Sequence, residues 1–410
     1  MRLFATTLTA ALTLAVFTVP TRGQQPGRAV SLAEGDGKAA VEATCGKCHG
    51  LNLIAASRGY TQDGWKALLA SMVRLPEADA AVITGYLARS YAPKPGADAV
   101  IVPGPVKVTF RDWLAPSLGS RPHDPLAAPD GSLWWSGQFA SVLGRVDPKT
   151  GAIREFPLKT PDSGPHGLVA DAAGAIWFTG ISKHYIGRLD PATGAVTEYP
   201  LPEGKARSPH TPIFDQRGRL WFTMQSGMVG RLTPASGEIR VSATPSSGTY
   251  PYGIAVNSKG VPWYVDFRGN RLGSVDPETL VITEHPLPDP AARPRRIAIT
   301  PDDAVWYTDY ARGYLGRFDP ATGQVREWPS PSGPRSQPYG IATVGSIVWY
   351  SESGVRPNTL VRFDPAAGTF QTWALPHGGG VVRNMMATRD GHLALALSGV
   401  NRVALAEVTR

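Results

Sequence analysis

The stretch PHGLVADAAGAIWFTGISKHYIGRLDPATGAVTEYPLP, residues 165–202, decides the fold. Four short runs rich in β-branched and aromatic residues are separated by turn signals. Gly174 marks the first turn, the second run ends at Thr179-Gly180, Gly187-Arg188 sits in the third, and Asp190-Pro191-Ala192-Thr193-Gly194 leads into the last. Runs of this length, broken by Gly, Pro and Asp, read as four antiparallel strands. The unit is then copied along the chain. Its aromatic anchor recurs as Trp134, Trp177, Trp221, Trp263, Trp306, Trp349 and, in degenerate form, Leu393, at spacings of 43, 44, 42, 43, 43 and 44. A four-strand repeat of this period is a propeller blade. An open solenoid would leave two sheet edges unpaired. The count gives seven blades. The seventh lacks its fourth strand, and Lys107-Val108-Thr109-Phe110-Arg111-Asp112-Trp113 matches the missing one. The ring is therefore predicted to close by pairing the start of the repeat region with the C-terminal strands. The repeated tryptophans are read as packing between blades, with no chemical role.

The 410 residues are 42% hydrophobic and 18% charged, with Gly 45, Pro 38, Trp 11 and Tyr 13. That composition excludes a disordered chain and fits many short strands better than a helical bundle. The net charge of +8 is scattered, without a Lys/Arg run, which argues against nucleic acid and leaves room for an anionic ligand or partner. The expected organisation is a signal peptide over 1–23, a haem domain over 24–92, a Pro/Gly linker over 93–105 and the propeller over 106–410. The first segment has one early Arg, an apolar run from Leu3 to Val19 and small residues before Gln24, as an export signal does. No later stretch is long and apolar enough to span a bilayer. A periplasmic location follows.

Only two cysteines occur, in Cys45-Gly46-Lys47-Cys48-His49. C-x-x-C-H attaches c-type haem: the thiols meet the two vinyl groups of one porphyrin edge, and the adjacent imidazole takes the iron. A thioredoxin-like use would need a βαβ setting that is absent. Met72 is the only Met between residues 24 and 100, on a predicted helix from Gln62 to Arg74 with Trp65, Leu68 and Leu69. It is the candidate sixth ligand, the alternatives being core packing or an open position. A second helix is predicted over Pro76–Tyr91. Ala92–Pro105 reads as a stiff, unstructured linker.

Aligned repeats expose a candidate site. Ten or eleven residues before each anchor stand His123, His166, His210, Tyr252, Arg295, Tyr339 and Arg383; three after it stand Gly137, Gly180, Met224, Asp266, Asp309, Glu352 and Ala396. Equivalent positions should form rings about the central channel. Three adjacent imidazoles suit a divalent metal and the arginine pair suits an anion; the third reading is a hydrated plug.

Two family resemblances follow. Residues 33–91 resemble a small class I-like cytochrome c, through the haem motif, Gly64-Trp65 with Met72, and Ile83-Thr84-Gly85-Tyr86-Leu87-Ala88. Residues 107–408 resemble the streptogramin (virginiamycin B) lyases, through Pro165-His166-Gly167-Leu168, Ile176-Trp177-Phe178-Thr179, Ile186-Gly187-Arg188 and Pro251-Tyr252-Gly253-Ile254-Ala255. That resemblance implies a Mg2+-dependent elimination opening a cyclic depsipeptide at its ester, with a first-ring His and a His and Glu of the last blade at work. Here Arg383 and Ala396 occupy the last blade, Tyr339 accompanies Glu352, and no blade pairs His with Glu. The catalytic candidates are His123, His166, His210 and Glu352.

The chain is accordingly expected to be an all-β seven-bladed propeller with a small all-α cytochrome c-like N-terminal domain. The expected function is electron transfer by covalent haem c with a periplasmic redox partner, the propeller serving as substrate- or partner-binding module. A carbon-oxygen lyase with an accessory cytochrome and a non-catalytic binding propeller are the alternatives.

Overall fold

The computed structural model describes residues 31–47, 51, 54, 60–70, 73–92, 97–117 and 119–409. The signal segment, Cys48, His49 and Met72 lie outside them. Seven four-stranded antiparallel sheets make up the body. Blade one runs Pro122–Ala127, Leu133–Gly137, Val142–Val146 and Ile153–Pro157, innermost strand first. The inner strands meet around a closed circle, with Val382–Ala387 of blade seven against Pro122–Ala127 of blade one.

Closure follows the expected route. Lys107–Leu114 pairs with Arg402–Thr409 from Lys107↔Thr409 to Leu114↔Arg402, so the first strand of the repeat region completes the last blade. Every blade thereby has its edge strand, and no inner strand is left unpaired.

The local motifs each have a steric cause. In Asp-Pro-x-x-Gly, the Asp147 carboxylate accepts the Lys149 N–H at 2.8 Å, and Gly151 closes the turn at φ 74°. In Gly-Arg, the glycine lies under an aromatic ring of the neighbouring strand: a Cβ on Gly187 would stand 2.1 Å from Phe178, and one on Gly316 would stand 2.0 Å from Tyr307. The following arginine pairs across the anchor, as Arg188 does with Trp177 and Arg231 with Trp221. The anchors Trp134, Trp177, Trp221, Trp306 and Trp349 are fully buried between blades. In blade seven the register places Ala394, not Leu393, at the anchor position: Ala394 faces Met386 and Leu405, where Trp177 faces Val169 and Arg188. A small residue there is matched by a leucine in place of the arginine.

A second repeated pin lies two residues after the anchors. Ser136, Thr179, Thr223 and Thr308 donate to the carbonyls of His166, His210, Tyr252 and Tyr339, each on the next blade, at 2.6–2.8 Å. Each hydroxyl also accepts a backbone N–H of its own inner strand.

The N-terminal unit has α1, Lys38–Cys45, α2, Gln62–Ala70, and α3, Glu77–Ser90. Among described residues α2 is shorter than the predicted Gln62–Arg74. Leu32, Val41, Ile54, Trp65, Leu69, Ile83, Tyr86, Leu87 and Tyr91 form its core, with Cys45 packed against it. The supposed linker is partly ordered. Ala97–Asp98 adds a parallel strand to Val355–Arg356, and Val102 N–H donates to Thr372 Oγ1 at 2.7 Å. The Tyr60 hydroxyl donates to the Gly399 carbonyl, and burial pushes that phenol up to about 12. Edge backbone on blades six and seven supplied partners that composition does not reveal. No helix among the described residues is long and apolar enough to cross a membrane.

Removing residues 107–114 should expose the whole edge of Arg402–Thr409. The expected result is a protein that elutes as aggregate on size exclusion and loses its single thermal transition; a monomeric, cooperatively melting product would refute closure by this strand.

Candidate functional site

Each inner strand enters from one face of the ring, and its second residue turns into the channel. The first predicted ring therefore assembles. His123, His166, His210 and Tyr252 stack in succession with centroids 3.7, 3.9 and 3.8 Å apart. Tyr252 and Tyr339 share a hydrogen bond between hydroxyls at 2.6 Å. The Arg295 guanidinium carbon lies 3.7 Å from the Tyr339 ring centre, 4.2 Å from Tyr310 and 4.4 Å from Phe267.

The second predicted ring does not face the channel. Met224 is core, packed with Leu220, Phe222 and Leu232. Asp266 accepts the Tyr250 N–H at 2.7 Å, and Asp309 accepts the Arg293 N–H at 3.0 Å and Arg312 Nε at 2.6 Å. Glu352 is held by Ser330, by the Ser332 N–H and hydroxyl, and by Thr359. These carboxylates tie loops to strand ends. Glu352, expected among the catalytic candidates, is thus engaged by four donors of its own blade and the preceding loop. Leu397, not Ala396, occupies this position in blade seven, since it faces Val382 as Glu352 faces Pro338.

A second polar layer of the channel, which the sequence reading missed, lies one residue further along the inner strands. Arg296 is buried and spans the channel. Its Nη2 donates to Asp124 of blade one at 2.8 Å, its Nη1 to Thr211 of blade three at 3.0 Å and its Nε to the Arg383 carbonyl of blade seven at 3.2 Å. Asp124 also meets His123 Nδ1 at 2.8 Å and Asn384 Nδ2 at 2.9 Å. The signal was present in the repeats: the residue after the ring position is Gly167, Gly253 and Gly340 in alternate blades and Asp124, Thr211, Arg296 and Asn384 in the others. A Cβ on Gly167 would stand 2.2 Å from Pro212 and 2.6 Å from the His210 carbonyl, so the glycines let the inner strand of the next blade approach closely.

Burial sets the protonation of the ring. It pushes His123, His166 and His210 well below their ordinary value, and the surrounding guanidiniums, Arg383 and Arg296 among them, add to the shift. The Tyr339 phenol is driven the other way from most buried tyrosines. Burial would raise it, but Arg295, Arg383, Arg296 and the Tyr252 hydroxyl outweigh burial and hold it below 10.0. Tyr252 is raised by burial and by its neighbour Tyr339.

The virginiamycin B lyase family model matches residues 106–353, more than half of the chain. The chain belongs to the virginiamycin B lyase family. A streptogramin B lyase structure is similar at 28% identity and a TM-score of 0.68, covering 74% of this chain and 98% of that one. The selenomethionine-substituted virginiamycin B lyase from Staphylococcus aureus is similar at 25% identity and a TM-score of 0.67, covering 74% and 100%. Hydrazine synthase from Kuenenia stuttgartiensis, at 15% identity and a TM-score of 0.59 over 71% and 96%, shares the fold. No curated protein matches the chain.

For a member of this family the donor set is unusual. Mg2+ takes oxygen ligands, with carboxylates among them. Asp266, Asp309 and Glu352 are committed to loops. His123, Asp124 and His166 do bring ligand atoms within 4.8 Å of one another, yet Asp124 already binds Arg296. Imidazoles, phenols and four nearby guanidiniums do not fit a hard dication.

Neutral buried imidazoles make a sign prediction. Their folded values lie below the ordinary 6.5, so the unfolded chain binds the extra protons and acid favours unfolding. Folding stability should hold above about pH 6.5 and fall as pH drops below it, by up to about 1.4 kcal/mol per pH unit for each imidazole, and the melting temperature should fall with it. Thermal scans from pH 8 to pH 5 test this, and His123→Gln should flatten the acid limb.

Proposed function

We propose that the propeller is a carbon-oxygen lyase that eliminates without a divalent cation, on a chain whose N-terminal unit carries haem c. The observation behind the first half is Tyr339: a buried phenol beside Arg295, hydrogen-bonded to Tyr252, with its proton affinity lowered by guanidiniums. A general base gains from a proton affinity drawn toward the working pH and must lie within reach of the proton it takes. In an ester bearing an acidic Cα–H beside a carbonyl, Tyr339 oxygen takes that proton. The electron pair forms the Cα=Cβ bond as the Cβ–O bond breaks. The products are an alkene and a carboxylate, whose new charge is met by Arg295 and Arg383; the proton on Tyr339 returns to solvent. His166 Nδ1 and His210 Nε2 are buried without a partner and so remain to receive substrate polar groups. The family membership and the names of the relatives support this chemistry over electron transfer by the propeller itself.

The haem half is supported by the motif and by two observations in the helical unit. α1 ends at Cys45, where C-x-x-C-H begins. Trp65 Nε1 is buried with no hydrogen-bond partner, a donor suited to a haem propionate. Bound there, haem supplies one-electron transfer to a periplasmic redox partner after export of the chain. Cys45 and Cys48 would hold its edge, with His49 and Met72 on the iron.

With a streptogramin B-type cyclic depsipeptide, ring opening should persist in excess EDTA, and Tyr339→Phe should lower kcat at least 100-fold while the protein stays folded. Activity abolished by EDTA and restored by Mg2+ would sink the metal-free reading. For the haem, protein matured in a cytochrome c-competent host should carry covalent tetrapyrrole mass and a reduced c-type absorption spectrum, both lost in Cys45→Ala; colourless protein of polypeptide mass would refute it.

A further inference from the structure

We infer that the channel mouth is a carboxylate-binding site in which Arg121, Arg295 and Arg383 take the acid group of an organic acid, its apolar body resting on Phe139, Phe267 and Tyr310. The inference concerns binding and stands whether or not the ligand is turned over.

The mouth holds more positive charge than its own groups neutralise. Four guanidiniums lie about the ring, and Asp124, the carboxylate among them, is spent on Arg296 at 2.8 Å. Arg121, Arg295 and Arg383 are half-buried with no carboxylate partner among the described residues, and a ligand that completes the charge balance offsets such a surplus. Arg295 and Arg383 each keep a buried Nε with no hydrogen-bond partner. Arg295 also lies against the faces of Tyr339, Tyr310 and Phe267. Stacking occupies the π face of a guanidinium and leaves its in-plane N–H edge, the edge that receives a planar carboxylate bidentately.

Arg121 reaches the same place from blade one. Its guanidinium carbon is 4.4 Å from the Phe139 ring centre, and burial together with Arg383 pulls it down to about 10. It occupies the left-handed region at φ 54°, and Val381, two residues before Arg383, does so at φ 78°. The same position just before the inner strand is left-handed at Gly164, Ser208 and Gln337 as well, so this conformation belongs to the repeat. The rim around the cations is apolar: Phe139 is 48% exposed, and Phe267 and Tyr310 are partly exposed. Planar donors ringed by aromatic surface select a carboxylate on an apolar frame over a bare inorganic anion.

Benzoate is the probe, with benzamide as its neutral isostere and sulfate as the inorganic anion, titrated into the full-length protein by calorimetry. Benzoate should bind at least tenfold tighter than benzamide and than sulfate, and should raise the melting temperature. Its affinity should weaken as sodium chloride rises. Arg383→Gln and Arg295→Gln should each lower benzoate affinity at least tenfold. The salt dependence of the unaltered protein carries the test if a variant fails to fold. Equal binding of benzoate and benzamide, no binding of benzoate, or sulfate binding as tightly as benzoate would each overturn the assignment. Benzoate binding by a protein that opens no ester would uphold this site while refuting the elimination.

Discussion

The antiparallel ladder between Lys107–Leu114 and Arg402–Thr409 is the contact on which the rest of the molecule depends. A propeller blade buries its faces only against neighbouring blades, so an unclosed ring leaves one blade with a bare face and another with a bare edge. Joining strands from opposite ends of the repeat region removes both at once. It also sets how close seven inner strands come to the axis, and that spacing brings His123, His166, His210 and Tyr252 into stacking contact. The hydroxyl pins from Ser136, Thr179, Thr223 and Thr308 repeat the constraint at the axis, one blade holding the next by its ring residue.

Convergence on an axis has a steric consequence. Seven side chains cannot all fill the same level of a narrow channel, and the level below the ring is shared between glycines and long polar residues. Gly167, Gly253 and Gly340 let the next inner strand approach closely, and Arg296 binds three other blades. The channel is thereby plugged at that level by an ion pair, and any ligand enters and leaves by the mouth. The same crowding disfavours the charged imidazoles, while the neighbouring guanidiniums lower the Tyr339 phenol from its ordinary value. The carboxylates at the strand ends have been drawn into loop hydrogen bonds, which leaves imidazole, phenol and guanidinium groups around the ring.

The helical unit is attached near that mouth. Tyr60 bonds to Gly399, whose N–H donates to the Gly380 carbonyl just before Arg383, and Ala97–Asp98 pairs with Val355–Arg356. The chain between the two units lies along blades six and seven instead of swinging free.

Fold and ring were legible because both arise from short-range periodicity. Strand, turn, anchor and ring positions recur every 42–44 residues, so aligning the chain with itself places equivalent residues at equivalent depth. The closing strand was legible for the same reason, as a missing member of a repeat. Blade seven is blurred because its anchor is lost: sequence spacing points to Leu393, and the register puts Ala394 there. What periodicity cannot say is which way a carboxylate at a strand end turns. Asp266, Asp309 and Glu352 stand at one repeat position, yet each is claimed by loop N–H, hydroxyl or guanidinium donors contributed from elsewhere in the chain. The reach of Arg296 across three blades, and the acidity it helps confer on Tyr339, were likewise decided by the tertiary structure. They depend on distances between residues far apart in sequence, which exist only once the ring has closed.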